Sequence, residues 1–199
     1  MEIYRIRLSD LTDEAYTAAF ARMSPARQEK CLKYKREEDR RCCIAADDLL
    51  RRVLSEMFGV SREEIRVALT PEGKPYAPDL PVFFSYAHAK DRIVLAADRE
   101  KEVGTDVEEA RPIDPRITRY FCCDEDLAYI FTRPEDRLLP AIDDPVTLRR
   151  LFEVWTFKES LGKAWGTGLT RETKYAPFGA YQKELLHDGA FVYCAYRAE

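Results

Sequence analysis

The run from Asp144 to Gly166 constrains this chain most, because its spacing predicts one long, largely buried helix. Asp144 followed by Pro145 reads as an N-cap and a first helical position. Leu148, Leu151, Phe152, Trp155 and Phe157 then recur at helical spacing, and Gly166 stands where the helix stops. Trp155, Glu159 and Lys163 follow one another at i, i+4 and share a face, with Lys158 one step round. A carboxylate near two ammonium groups suits a site that handles a phosphate and a proton. The same residues equally describe a buried helix with an ordinary Glu–Lys pair on its rim. A second long pattern runs from Glu37 to Phe58, with Cys42, Ala46, Leu49, Leu50, Val53, Met57 and Phe58 as its apolar stripe and Gly59 as its stop.

Two such helices need a substantial core, and 199 residues can supply it as one large domain or two small ones. With 46% hydrophobic and 34% charged residues the chain reads as globular and water-soluble. Met1 to Arg7 alternates as a strand and lacks a signal-peptide core, and no apolar run reaches membrane-spanning length, so the expected location is the cytoplasm with no membrane partner. Six cysteines include the adjacent pairs Cys42-Cys43 and Cys122-Cys123, without Cys-x-x-Cys or a nearby His. That pattern fits reduced core thiols rather than a zinc site or a disulfide framework. A net charge of −4 argues against general nucleic-acid binding but leaves room for an anionic ligand at a local basic cluster.

Along the chain, Leu11 to Phe20 is helix-like, and Ser24-Pro25 caps a second helix that places Arg27 and Lys30 on one face. Ile65 to Leu69 reads as a strand, and Pro71 to Pro75 as a turn containing Gly73-Lys74-Pro75. Val82 to Tyr86 and Ile93 to Ala97 read as a hairpin, with His88 at its turn. Glu102 to Glu108 alternates, sending Gly104, Asp106 and Glu108 to one side. Same-side neighbours on a strand stand about 6.6 Å apart, so two carboxylates there can converge on one cation, and Gly104 lets a phosphate or metal approach the backbone. Hard oxygen ligands that leave room for water and a pyrophosphate suit Mg²⁺; an exposed acidic strand face is the plainer reading. Pro134 to Pro145 is turn-rich, and Ala190 to Arg197 reads as a closing strand. Thr70 to Pro78 echoes Thr170 to Pro177, each after a long helix.

Trp155-x-x-Lys158-Glu159-Ser160-x-x-Lys163, followed by Gly166-x-Gly168-Leu169, resembles the C-terminal signature of the 4′-phosphopantetheinyl transferase superfamily, Sfp-type. Gly104-x-Asp106-x-Glu108 resembles the family's other signature. The resemblance implies an α+β fold of two similar halves related by a pseudo-two-fold axis, each with a long helix on a small antiparallel sheet. The halves are expected over residues 1–101 and 102–199, with coenzyme A in the cleft between them and a monomer sufficing to form it. It implies transfer of 4′-phosphopantetheine from coenzyme A to a serine of an acyl or peptidyl carrier protein, with release of adenosine 3′,5′-bisphosphate. Asp106, Glu108 and Glu159 are the implied Mg²⁺ ligands. Lys158 or Lys163 would add positive charge, and Glu159 or a metal-bound water would take the serine proton. Arg27, Lys30, Lys74, Pro75 and His88 are the implied coenzyme A contacts, while Ile113, Ile117 and Phe121 could face the carrier. The chain departs from the family at Cys42-Cys43, where a basic residue is usual and Arg40 or Arg41 could substitute, and at Ala87, where a hydroxyl is usual. A degenerate homologue that binds without transferring is the alternative, and a metal-dependent phosphohydrolase is a third reading.

Overall fold

A computed structural model describes all residues, 1–199, as two compact units, Met1–Glu100 and Lys101–Glu199. The first unit begins with strand β1 (Glu2–Arg7) and helices α1 (Asp13–Arg22), α2 (Pro25–Leu32) and α3 (Glu37–Phe58). The short strands β2 (Ala68–Leu69) and β3 (Pro75–Tyr76) follow, then the hairpin β4 (Phe83–Ala89) and β5 (Arg92–Asp98). Local chemistry sets the helix limits. Thr12 accepts from the Ala15 amide, Ser24 from the Arg27 amide ahead of Pro25, and α3 stops at Gly59 with φ of 68°. The sheet runs β1-β5-β4, antiparallel throughout, and α3 lays Leu49, Leu50 and Leu54 against Phe84, Ile93 and Leu95.

The second unit repeats that plan. Strand β6 (Val103–Glu109) is followed by α4 (Asp124–Ile130), the long α5 (Pro145–Trp165), the single turn α6 (Arg171–Tyr175) and the hairpin β7 (Lys183–Asp188) and β8 (Phe191–Arg197). Its sheet runs β6-β8-β7, again with the last strand in the middle. Asp144 accepts from the Thr147 amide at 2.8 Å, Pro145 takes the first helical position, and Gly166 closes α5 with φ of 75°. Phe157 and Leu161 of α5 pack with Cys194 and Tyr196 of β8. A Cβ on Gly104 would lie 1.8 Å from the Ser160 carbonyl oxygen, so this glycine is what lets α5 lie flat on β6. That corrects the expectation of a ligand approach at Gly104: the neighbouring helix backbone occupies that space.

Two further features differ from the sequence reading. The Lys183–Asp188 strand was not anticipated; as the edge partner of β8 it is only half-buried and carries no clean alternation. The echoed segments both lie between a long helix and a hairpin, yet residues 70–76 make the β2–β3 turn whereas 171–175 are helical. All six cysteines are free and buried, as their spacing indicated. No helix is long and apolar enough to cross a membrane.

Candidate functional site

In the second unit four of the expected residues come together. Lys163, in the last turn of α5, reaches β6 and holds Asp106 Oδ1 at 2.7 Å, with a second contact of 3.3 Å to the Thr105 carbonyl. The i, i+4 spacing of Glu159 and Lys163 allows the two to pair on the helix rim. Instead its ammonium is committed across the sheet, and Glu159 lies above its ordinary range because burial, then the Asp106 charge, outweigh Lys163. Asp106 is likewise raised, by burial first, despite its cation. Glu108 is raised to about 7 by burial and by Asp106, with Arg111 only 3.8 Å away as partial compensation. Three carboxylates therefore crowd one partly dehydrated place against a single engaged lysine.

One atom there is left over. Asp106 Oδ2 is buried and accepts from no protein donor. A buried carboxylate oxygen without a partner is costly unless something cationic meets it. Oxygen-only donors from Asp106, Glu108 and Glu159 are of the type Mg²⁺ takes. The three are not already closed into a ligand set: no group of three His, Cys, Asp or Glu side chains is arranged as one. The residues thus fit a hard divalent cation by chemistry and by the unmet oxygen, with the ligands still to be drawn in.

Lys158 stands apart. Its side chain is 0% exposed and its ammonium is used up by Asp126 at 2.7 Å, the Lys174 carbonyl at 3.0 Å and the Ala176 carbonyl. Asp126 in turn accepts from the Cys123 and Phe178 amides. This is a pin joining α4, α5 and the segment after α6, and it leaves no donor for a substrate; the expected role of Lys158 in adding charge at the site is corrected on that ground. Ser160 is also structural, donating to the Thr156 and Cys194 carbonyls. Of the three consecutive residues Lys158, Glu159 and Ser160, only Glu159 faces the acids, because each step turns the helix by about 100°. No sequence signal marked Asp126 as the partner of Lys158.

In the first unit, Arg27 is largely buried, its Nε 3.5 Å from Asp47 Oδ1 and its guanidinium 5.9 Å from the Tyr86 ring centre. Asp47 also accepts from Arg51 at 2.7 Å. Lys30 is exposed one turn on. His88 lies within β4 opposite Ile93, not at the turn, and strand alternation puts it on the Tyr86 side. Lys74 and Pro75 lie at the β2–β3 turn, and β3 packs against β4. Ala87, 7% exposed, points away from His88. Neither proposed substitute for a basic residue at Cys42-Cys43 is free: Arg40 donates to the Tyr34 carbonyl, and Arg41 holds Asp13 and lies 4.0 Å over the Tyr16 ring. Asp47 and Tyr86, which orient Arg27, were not foreseen from the sequence. Of the residues considered for carrier contact, Phe121 is buried against Trp155, with ring centres 4.8 Å apart, and Ile113 and Ile117 pack on the core.

Comparison with known proteins matches residues 102–192 to the 4′-phosphopantetheinyl transferase superfamily model and residues 10–100 to the 4′-phosphopantetheinyl transferase N-terminal model. The chain is 31% identical over 195 residues to 4′-phosphopantetheinyl transferase pptA of Paxillus involutus, covering 91% of this chain and 73% of that protein. It is 29% identical over 191 residues to 4′-phosphopantetheinyl transferase Sfp of Bacillus subtilis, covering 95% and 79%. The L-aminoadipate-semialdehyde dehydrogenase-phosphopantetheinyl transferase of Mus musculus is 29% identical over 168 residues, covering 80% and 53%.

Proposed function

Because the chain belongs to the 4′-phosphopantetheinyl transferase superfamily, we propose that it moves the phosphopantetheine arm of coenzyme A to a serine of an acyl or peptidyl carrier protein, releasing adenosine 3′,5′-bisphosphate. The observation that carries the chemistry is the unmet Asp106 oxygen beside Glu108, Glu159 and Lys163. Asp106, Glu108 and Glu159 would hold Mg²⁺, whose charge, when bound, binds the pyrophosphate and offsets the charge that builds on the leaving group.

The protein's own groups do the rest. Lys163 fixes the Asp106 carboxylate so that Oδ2 is presented and Oδ1 is not. Glu159, whose proton affinity burial raises, is suited to receive the serine proton, directly or through a water. The nucleophilic hydroxyl belongs to the carrier, which is why the chain needs no serine of its own in the site. In the first unit, Arg27, Lys30, Lys74, Pro75 and His88 are the proposed contacts for the coenzyme's phosphates, with Arg27 pre-oriented by Asp47 and Tyr86.

Incubation with Mg²⁺, coenzyme A and a panel of apo-carriers, followed by intact-mass measurement, tests this. The expected result is a carrier heavier by one phosphopantetheine, dependent on Mg²⁺. Coenzyme A bound but never transferred would instead indicate a non-catalytic binder, and coenzyme A broken down without any carrier would indicate a hydrolase.

A further inference from the structure

Away from the acidic cluster, the second unit contains a cleft of about 580 Å³ where the start of α5 meets the tip of the β7–β8 hairpin. None of Asp106, Glu108, Glu159 and Lys163 lines it. Leu148 and Val192 are buried at its surface and Val146 is exposed at its edge. One wall is polar and built around Glu153, a carboxylate only 8% exposed. Both of its oxygens are taken, Oε2 by the Tyr129 hydroxyl at 2.5 Å and Oε1 by His187 Nε2 at 2.8 Å. With Nε2 turned to Glu153, the other ring nitrogen, Nδ1, is the one free for another partner.

The charge of the cleft is then decided at its mouth. Glu153 has both oxygens hydrogen-bonded but keeps one negative charge, against which Arg149 and Arg150 bring two guanidiniums, that of Arg150 resting 5.6 Å from the Tyr129 ring centre. Apolar walls, one fixed imidazole and a surplus of one positive charge among the lining residues are the features of a pocket for an amphiphilic monoanion, and the volume is that of ordinary small-molecule sites. We propose that this cleft binds a small organic monoanion with an apolar tail, its head between Arg149, Arg150 and His187 and its tail on Val146, Leu148 and Val192. On α5, Glu153 precedes Glu159 by about 9 Å of helix rise, so the cleft is separate from the acidic cluster.

Calorimetric titration of the full chain with octanoate, octanol and inorganic phosphate at constant ionic strength is the test. Saturable octanoate binding is expected, with octanol and phosphate each at least about tenfold weaker, the scale of one charge-assisted or apolar contribution. The double variant Arg149→Gln/Arg150→Gln should weaken octanoate by about tenfold or more while its thermal unfolding changes little, since Arg149 is exposed and the half-buried Arg150 rests on the Tyr129 ring and not on a buried charge. His187→Phe should also weaken it. Octanol or phosphate binding as tightly as octanoate, octanoate affinity untouched by the double variant, or no binding at millimolar octanoate would each overturn the assignment.

Discussion

Lys158 and Glu159 are neighbours in sequence and opposites in role, and substitution should separate them by different measurements. Lys158→Ala leaves Asp126 buried without its cation, which by analogy with broken buried pairs costs about 3–5 kcal/mol. Urea unfolding should show that loss, while kcat per folded molecule changes little; a variant of normal stability with no turnover would return Lys158 to the chemistry. Asp106→Asn and Glu159→Gln should do the reverse, keeping the fold and lowering transfer by about 10²–10³-fold. Glu159→Gln should also raise the Mg²⁺ concentration needed for half-maximal rate. If kcat collapses with the Mg²⁺ requirement unmoved, Glu159 acts as a base alone.

The α5–β6 contact is the element that brings these side chains into register. Its closeness rests on Gly104, where a methyl group would overlap the Ser160 carbonyl oxygen and approach the Ala164 amide at 2.7 Å. Backbone of an interior helix cannot yield as a flexible side chain does, so Gly104→Ala should cost at least about 1–3 kcal/mol in denaturant unfolding. It should also pull Lys163 off Asp106, so that transfer falls further than stability alone accounts for. A Gly104→Ala protein with wild-type stability would show that α5 does not lie as close to β6 as described.

Across the whole molecule, the crowded acids should leave a pH signature in metal-free protein. Glu108 is raised from 4.5 to about 7, so the folded state holds a proton that the unfolded chain releases. Its contribution to stability is then full below about pH 4.5 and is lost as pH rises through about 7. The difference in unfolding free energy between wild type and Glu108→Gln, followed across that window, should therefore move against the wild type as pH increases, and Mg²⁺ should oppose the change at neutral pH. A difference that is flat from pH 4.5 to 7 would mean that Glu108 is not held in a dehydrated acidic cluster.

What the sequence determined by itself is local or repeats at short range. The α5 limits follow from Asp144, Pro145 and Gly166, the acidic alternation of β6 from period two, and the two long helices and the first hairpin from apolar patterning. Two spaced signatures were enough to indicate the family. Tertiary structure alone decided which side of α5 each signature residue faces and what it meets there. The pairing of Lys158 with Asp126, of Lys163 with Asp106 rather than Glu159, and of Gly104 with the Ser160 carbonyl joins residues far apart in the chain. The half-buried edge strand β7 stayed hidden for a related reason, since its pairing with β8, rather than any strong pattern of its own, makes it a strand. Spacing along a helix fixes which side chains can share a face, but the strand packed against that face decides which charges are neutralised and which carboxylate oxygen is left for a cation.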